Sequence, residues 1–268
     1  MPSIIRFLPS RRRRPHNGAV RQLCLAIALI GLAASCAAAG ARVTVAIDVG
    51  HSLQAPGATS ARGRAEFEFN RELALAIART IEDRGFRVQL VGADGLENGL
   101  GRRPAQARGA ALFLSVHHDS VQPQFLRPWN HEGSERLYSD RYAGFSLFVS
   151  RRNGALSPSL RCASRIGEQM RAAGFRPSLY HADPIPGEMK PFADRANGVH
   201  YYDNLAVLKG AASAAVLLEA GVIVNREEET VLGSAGARER IAGAVAQGVD
   251  RCLGPRQRPG FDHAGRVG

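Results

Sequence analysis

Val45-Ala46-Ile47-Asp48-Val49-Gly50-His51 is an apolar, β-branched run that ends in an acid, a glycine and a histidine. Such a run reads as a strand buried on both faces. Gly50 permits a sharp turn where the strand stops. His51 then falls at the strand's carboxyl end, where open α/β sheets place their ligands. A histidine in an ordinary loop after a strand would look the same. Leu112-Phe113-Leu114-Ser115-Val116-His117-His118-Asp119 repeats the construction. Two buried strands that each end in histidine point to one metal site fed by neighbouring strand ends.

Outward from the first strand, Phe69, Leu73, Ile77 and Ile81 recur every four residues and predict a helix over 66–84, stopped by Gly85. A second strand follows at 86–91. This β-α-β order implies parallel neighbours joined by a right-handed crossover. A short helix near 104–108 feeds the His117 strand. Further strands are expected at 144–150, 204–208 and 214–219, the last an apolar run that ends in Glu219. Helices are expected at 157–173 and 235–252. Asn225 reads as the N-cap of another helix, with Glu228 at its third position, and Glu227, Glu228 and Glu229 read as its solvated, dipole-stabilised start. Residues 122–142, which hold the single tryptophan Trp129, read as a surface loop beside the site. Residues 178–202 read as a long irregular stretch, the kind that tends to carry function. The expected fold class is α/β: one domain, a mixed, mostly parallel sheet flanked by helices, with the site at the carboxyl ends of the strands.

The 268 residues are 45% hydrophobic, enough for one sizeable core. The net charge of +11 is unevenly placed, because residues 1–39 carry six arginines and no acid. The rest is only mildly basic, which favours an anionic partner. Nucleic acid is not the expected partner, since the sequence has no basic helix or interleaved aromatic stripe. Residues 1–39 run from basic to apolar (23–34) to small, the pattern of a signal peptide cleaved after Ala39. Ser10-Arg11-Arg12 leaves twin-arginine export open, and Ala34-Ser35-Cys36 leaves a lipoprotein box open. The apolar run is too short for a stable membrane span. Residues 40–254 then form the folded domain, and 255–268 a disordered tail. Cys162 and Cys252 remain after export; they either pair or stay as two separate thiols.

His51, His117 and Glu219 are therefore three strand-end groups. Catalytic zinc usually takes three protein ligands and leaves one position to water. A further ligand should lie at the start of the first helix, where Glu66 and Glu68 both qualify. Either could equally be an acid that stabilises the helix dipole.

Four blocks together resemble the zinc-dependent N-acetylmuramoyl-L-alanine amidases of the Amidase_3 group. They are Ile47-Asp48-Val49-Gly50-His51; Glu66 with Asn70 four residues on; Ser115-Val116-His117-His118-Asp119-Ser120; and Leu217-Leu218-Glu219-Ala220-Gly221-Val222-Ile223-Val224-Asn225. The resemblance spans residues 43–253. It implies a zinc ion held by His51, Glu66 and His117, with Glu66 chosen over Glu68 because the family's ligand lies four residues before the matching asparagine. It places the catalytic glutamate at Glu219. It implies an enzyme that acts on peptidoglycan and cleaves the amide between muramic acid and L-alanine. The export pattern of residues 1–39 adds a periplasmic location, and an activator protein is a further expected partner. Asp48 and Asp119 would orient the histidines, although Asp119 could equally cap a turn. His118, His181 and His200 would be surface or groove residues. The chain departs from the family at Val49, where proline is frequent, at Ser52-Leu53, where two glycines are, and at His118, where a small residue is usual. An inactive homologue that binds peptidoglycan or a partner, and a zinc carboxypeptidase-like peptidase, are the competing readings.

Overall fold

The computed structural model describes residues 42–254. The expected signal peptide and the whole of the expected tail lie outside them. Seven strands form one sheet: β1 (Thr44–Val49), β2 (Arg87–Val91), β3 (Leu112–Asp119), β6 (Ser146–Val149), β7 (Phe192–Asp194), β8 (Val199–Tyr201) and β9 (Ala214–Val222). Their spatial order is β2-β1-β3-β9-β6-β8-β7. The β2, β1, β3 and β9 segments are mutually parallel, β6 runs antiparallel to β9, and β7 antiparallel to β8. The sheet is thus mixed and mostly parallel, as the sequence implies.

The strand period of two sorts each strand's residues onto two faces. Val45, Ile47 and Val49 face a core shared with Leu73, Ile77 and Ile81 of α1 (Glu66–Asp83), Ile166 and Met170 of α3 (Leu156–Ala172), and Ile241, Val245 and Val249 of α6 (Ala235–Leu253). On the other face Ala46, Phe113, Ala215 and Leu217 pack with Ala107, just past α2 (Arg102–Gln106), and with Val207 and Leu208 of α4 (Ala206–Lys209). Both faces are covered, which is why β1, β3 and β9 read as nearly continuous apolar runs. Cys162 and Cys252 form a disulfide between α3 and α6. No helix among the described residues is long and apolar enough to cross a membrane.

Three expected segments differ in their elements. Residues 204–208 are not a strand but lead into α4; the buried Asn153 amide donates to the carbonyls of Leu208 (2.8 Å) and Ala211 (3.0 Å) and fixes that turn. Residues 122–142 are not a plain loop. They hold a hairpin of β4 (Arg127–His131) and β5 (Ser134–Tyr138), joined by Glu132 and Gly133, both at positive φ, the twist that tight hairpins require. Residues 178–202 contain β7 and β8 at the sheet's far edge.

Asn225 caps α5 (Arg226–Leu232) as expected, accepting from the amides of Glu227 and Glu228. The acids behind it are not all solvated. Glu228 accepts from Val222 N (2.8 Å) and Gly144 N (2.9 Å), and buried Glu229 pairs with Arg62 at 2.7 Å. Only Glu227 of the three is exposed.

Candidate metal centre

Where β1 ends, Gly50 N donates to the Val116 carbonyl (3.0 Å), which carries the chain across the end of β3. A Cβ on Gly50 would lie 2.3 Å from His117 Nε2, so only glycine admits that ring. His51 follows at φ 66°, a left-handed conformation uncommon for a residue with a side chain. Arg103 of α2 holds it there. This buried guanidinium donates to the carbonyls of Val49 (2.6 Å), Glu97 (2.6 Å) and His51, and to Asp48 Oδ1 (2.7 Å). Asp48 also accepts from Ser115 Oγ (2.6 Å). Asp48 therefore serves Arg103 and Ser115; it does not orient a histidine.

Glu66 is the first residue of α1 and is buried. Its Oε2 lies 3.0 Å from His51 Nε2 and its Oε1 lies 3.1 Å from His117 Nδ1. The backbone amides of Ala58 (3.0 Å) and His118 (3.3 Å) and the Asn70 side chain (3.0 Å) donate to the same carboxylate. Gly57, at φ 80°, makes room: a Cβ there would stand 2.3 Å from Glu66 Oε2 and 2.7 Å from His51 Cδ2. Burial opposes the charge on Glu66, but the bonds from His117 and His51 hold its carboxyl well below the usual range. Glu68, two residues on, is exposed and pairs with Arg64 at 3.1 Å. Residues two apart on a helix do not share a side, so only one of the two acids reaches the histidines.

His51, Glu66 and His117 each offer a donor atom, and these atoms lie within 4.8 Å of one another. Two imidazoles and a carboxylate are a donor set that suits a catalytic zinc site with an open position. The residues present fit such an ion.

Glu219 stands beside this cluster. It pairs in register with His117 on β3 and with Ser146 on β6. Its Oε2 is shut off from solvent without a hydrogen-bond partner, as is Ser146 Oγ. Burial pushes the Glu219 carboxyl well above its ordinary value, and the charges of Asp119 and Glu66 add to that. A carboxyl so placed is suited to take up and give back a proton.

His118, His181 and His200, expected as surface or groove residues, are all buried. His118 points to the opposite face from His117 and bonds Asn70 Oδ1 through Nδ1 at 2.8 Å. Burial lowers its pKa to about 3, so it is a neutral partner that fixes Asn70. Asn70 in turn donates to Glu66 and to the Gly50 carbonyl (3.2 Å). His200 is likewise pushed down to about 4 by burial. Burial also opposes charge on His181, but its Nε2 lies 2.7 Å from Asp119 and its Nδ1 lies 2.8 Å from Glu188, and the two carboxylates raise it to about 9. Asp119 is thus committed to His181. Arg103 is a neighbour of the site that sequence reading misses, and the pairing of His181 with Asp119 is another feature it does not show. The bonds of Arg103 to Asp48 and of His181 to Asp119 each span more than fifty positions, and no local signal marks them.

The family model for N-acetylmuramoyl-L-alanine amidase, Amidase_3, matches residues 45–251. The chain is 25% identical over 238 residues to the amidase AmiC of Neisseria meningitidis, covering 80% of this chain and 53% of that protein, so it spans about half the length of that relative. It is 27% identical over 239 residues to AmiA of Escherichia coli, covering 78% and 76%. The fold matches the amidase Ami1 of Mycobacterium smegmatis with a TM-score of 0.63 at 21% identity, covering 79% of this chain and 96% of that one. A match over nearly the whole described domain, with the cluster and Glu219 inside its bounds, places this chain in the N-acetylmuramoyl-L-alanine amidase family.

Proposed function

We propose that the protein is a zinc-dependent peptidoglycan amidase, with His51, Glu66 and His117 as ligands and Glu219 as the general acid–base. The observation that carries this reading is the position of Glu219. It neighbours His117 in register, yet its buried Oε2 has no partner. Zinc, when bound, supplies a Lewis acid that lowers the pKa of water and polarises the scissile carbonyl. The chain's own groups do the rest. Asn70, Ala58 N and His118 N fix the Glu66 carboxylate, and Arg103 fixes the His51 turn. Glu219 takes a proton from the attacking water and returns it to the departing L-alanine nitrogen.

We also place the enzyme in the periplasm. The basic–apolar–small pattern of residues 1–39 supports this, as does the disulfide between Cys162 and Cys252, since such bonds persist in oxidising compartments.

Mass spectrometry of digested sacculi tests the activity. Release of intact stem peptides that begin with L-alanine, leaving bare glycan strands, is the expected product pattern. Release of single carboxyl-terminal amino acids would replace the amidase with a carboxypeptidase.

A further inference from the structure

The β4–β5 hairpin borders the rim that carries the metal-site cluster. Its chain leaves the carboxyl end of β3 and returns beside that of β9, where Ser139 N donates to the Val224 carbonyl (2.9 Å). Trp129 Nε1 donates to the Ala61 carbonyl (3.0 Å), in the loop between His51 and Glu66. At the hairpin's base lies a cavity of about 410 Å³, whose walls include Phe125, Arg127, Tyr138, Asp140 and Arg141.

Charge in this cavity is one-sided. Asp140 is taken by Arg226, whose Nε lies 3.0 Å from Oδ2 and 3.3 Å from Oδ1. Arg127 and Arg141 are exposed and have no acidic partner among the described residues. Arg141 is nonetheless held in place, over the rings of Phe125 (4.7 Å) and Tyr142 (5.1 Å). Tyr138 is held beneath Arg226, 3.9 Å from ring centroid to guanidinium. The cavity therefore presents two uncompensated guanidinium groups, two aromatic rings and no free acid. Arginine's planar fork favours a carboxylate, which it grips with two parallel bonds. The rings of Phe125 and Tyr138 suit the aliphatic stem of a residue that bears such a group.

We propose that this cavity binds a free carboxylate of the stem peptide, so that the enzyme reads the peptide side of its substrate at a distance from the scissile amide. This rests on the amidase reading above. A phosphate of a wall polymer offers similar charge, but it lacks the aliphatic stem that the rings accommodate.

The test is calorimetric titration of the zinc-loaded full chain with a free stem tripeptide. It is compared with the same tripeptide carrying carboxamides in place of its carboxylates, and with inorganic phosphate. The free peptide lacks the muramyl amide, so binding is read without turnover. The carboxylate form should bind at least about tenfold tighter than the carboxamide form, the worth of one charge-assisted hydrogen bond. The double variant Arg127→Gln, Arg141→Gln should erase that preference. Both positions are exposed, so its thermal midpoint should match the parent's. Equal binding of the two peptides, a preference that survives the double substitution, or arginine-dependent binding of phosphate tighter than of the peptide would each overturn the proposal. If the parent protein leaves muropeptides uncut while the arginine-dependent preference persists, the amidase reading fails and the subsite stands.

Discussion

His117 on β3 and Glu219 on β9 are register partners on adjacent parallel strands, so their side chains leave the same face of the sheet. Glu66 joins His117 from the first turn of α1, and His51 joins from the turn after β1. Four chemical groups from four segments thus meet at the carboxyl end of one sheet, the place where α/β folds set their ligands. Three of them converge on one another, and the fourth stands beside them with an unpartnered oxygen.

The first prediction separates two acids in one helix turn. Glu66→Ala should lose bound zinc and hydrolysis together. Glu68→Ala, which removes only an exposed pair with Arg64, should keep both and shift stability by under about 1 kcal/mol. Metal analysis of the two purified variants decides it; the reverse pattern would mean that Glu68 is the ligand.

Arg103→Ala should be costly, because it leaves buried Asp48 without its cation and frees the His51 carbonyl. A loss of about 3–5 kcal/mol in urea unfolding is expected, as for a broken buried ion pair. Arg103→Lys should recover only part of it, since one ammonium cannot span four acceptors. Full recovery by lysine would show that charge alone matters at this position.

Cys162 and Cys252 close a loop across a sequence separation of 90. Replacing both with alanine should cost about 2–5 kcal/mol of stability. Alkylation of the unfolded, non-reduced parent protein should find no free thiol at either position.

Stability should also fall on the alkaline side through His181. Its folded pKa of about 9 lies above the ordinary value of 6.5, held up by Asp119 and Glu188 against burial. The protonated form is thus favoured by folding. Its contribution is complete below about pH 6.5 and is lost as pH rises through about 9. Glu188 works the other way. Against the burial penalty, bonds from His181 and Lys190 hold it near 2, so its contribution is lost as pH falls from about 4.5 through about 2. Urea titrations from pH 6 to pH 10 should give a slope of this sign in the parent and a flatter profile in His181→Gln. Parallel profiles would remove His181 from the account.

Much of this arrangement is legible in the sequence. Strands β1, β3 and β9 are buried on both faces, so burial alone wrote their apolar runs, and the four-residue recurrence from Phe69 to Ile81 set α1 on the first of them. His118 follows from strand alternation carried one residue further. If His117 faces the site, its neighbour must face α1, where Phe69 and Asn70 receive it. The hairpin was missed because β4 and β5 are half-exposed and mostly polar, and their turn is Glu132-Gly133 instead of the stronger asparagine–glycine signal. The ties of Arg103 to Asp48 and of His181 to Asp119 join distant segments, and no spacing rule encodes them.

The role of Glu219 is the centre of the account, and one substitution tests it most directly. Glu219→Gln keeps the shape of the side chain and removes its capacity to carry a proton. Zinc content, circular dichroism and muropeptide turnover should be measured on the same preparation. The expected result is one bound zinc per chain, an unchanged fold, and turnover lower by a factor of about 10²–10⁴, the usual worth of a positioned acid–base group. A zinc-free Glu219→Gln protein would make Glu219 a ligand, and a zinc-loaded one with near-normal turnover would give the proton transfer to another group; either result contradicts the account.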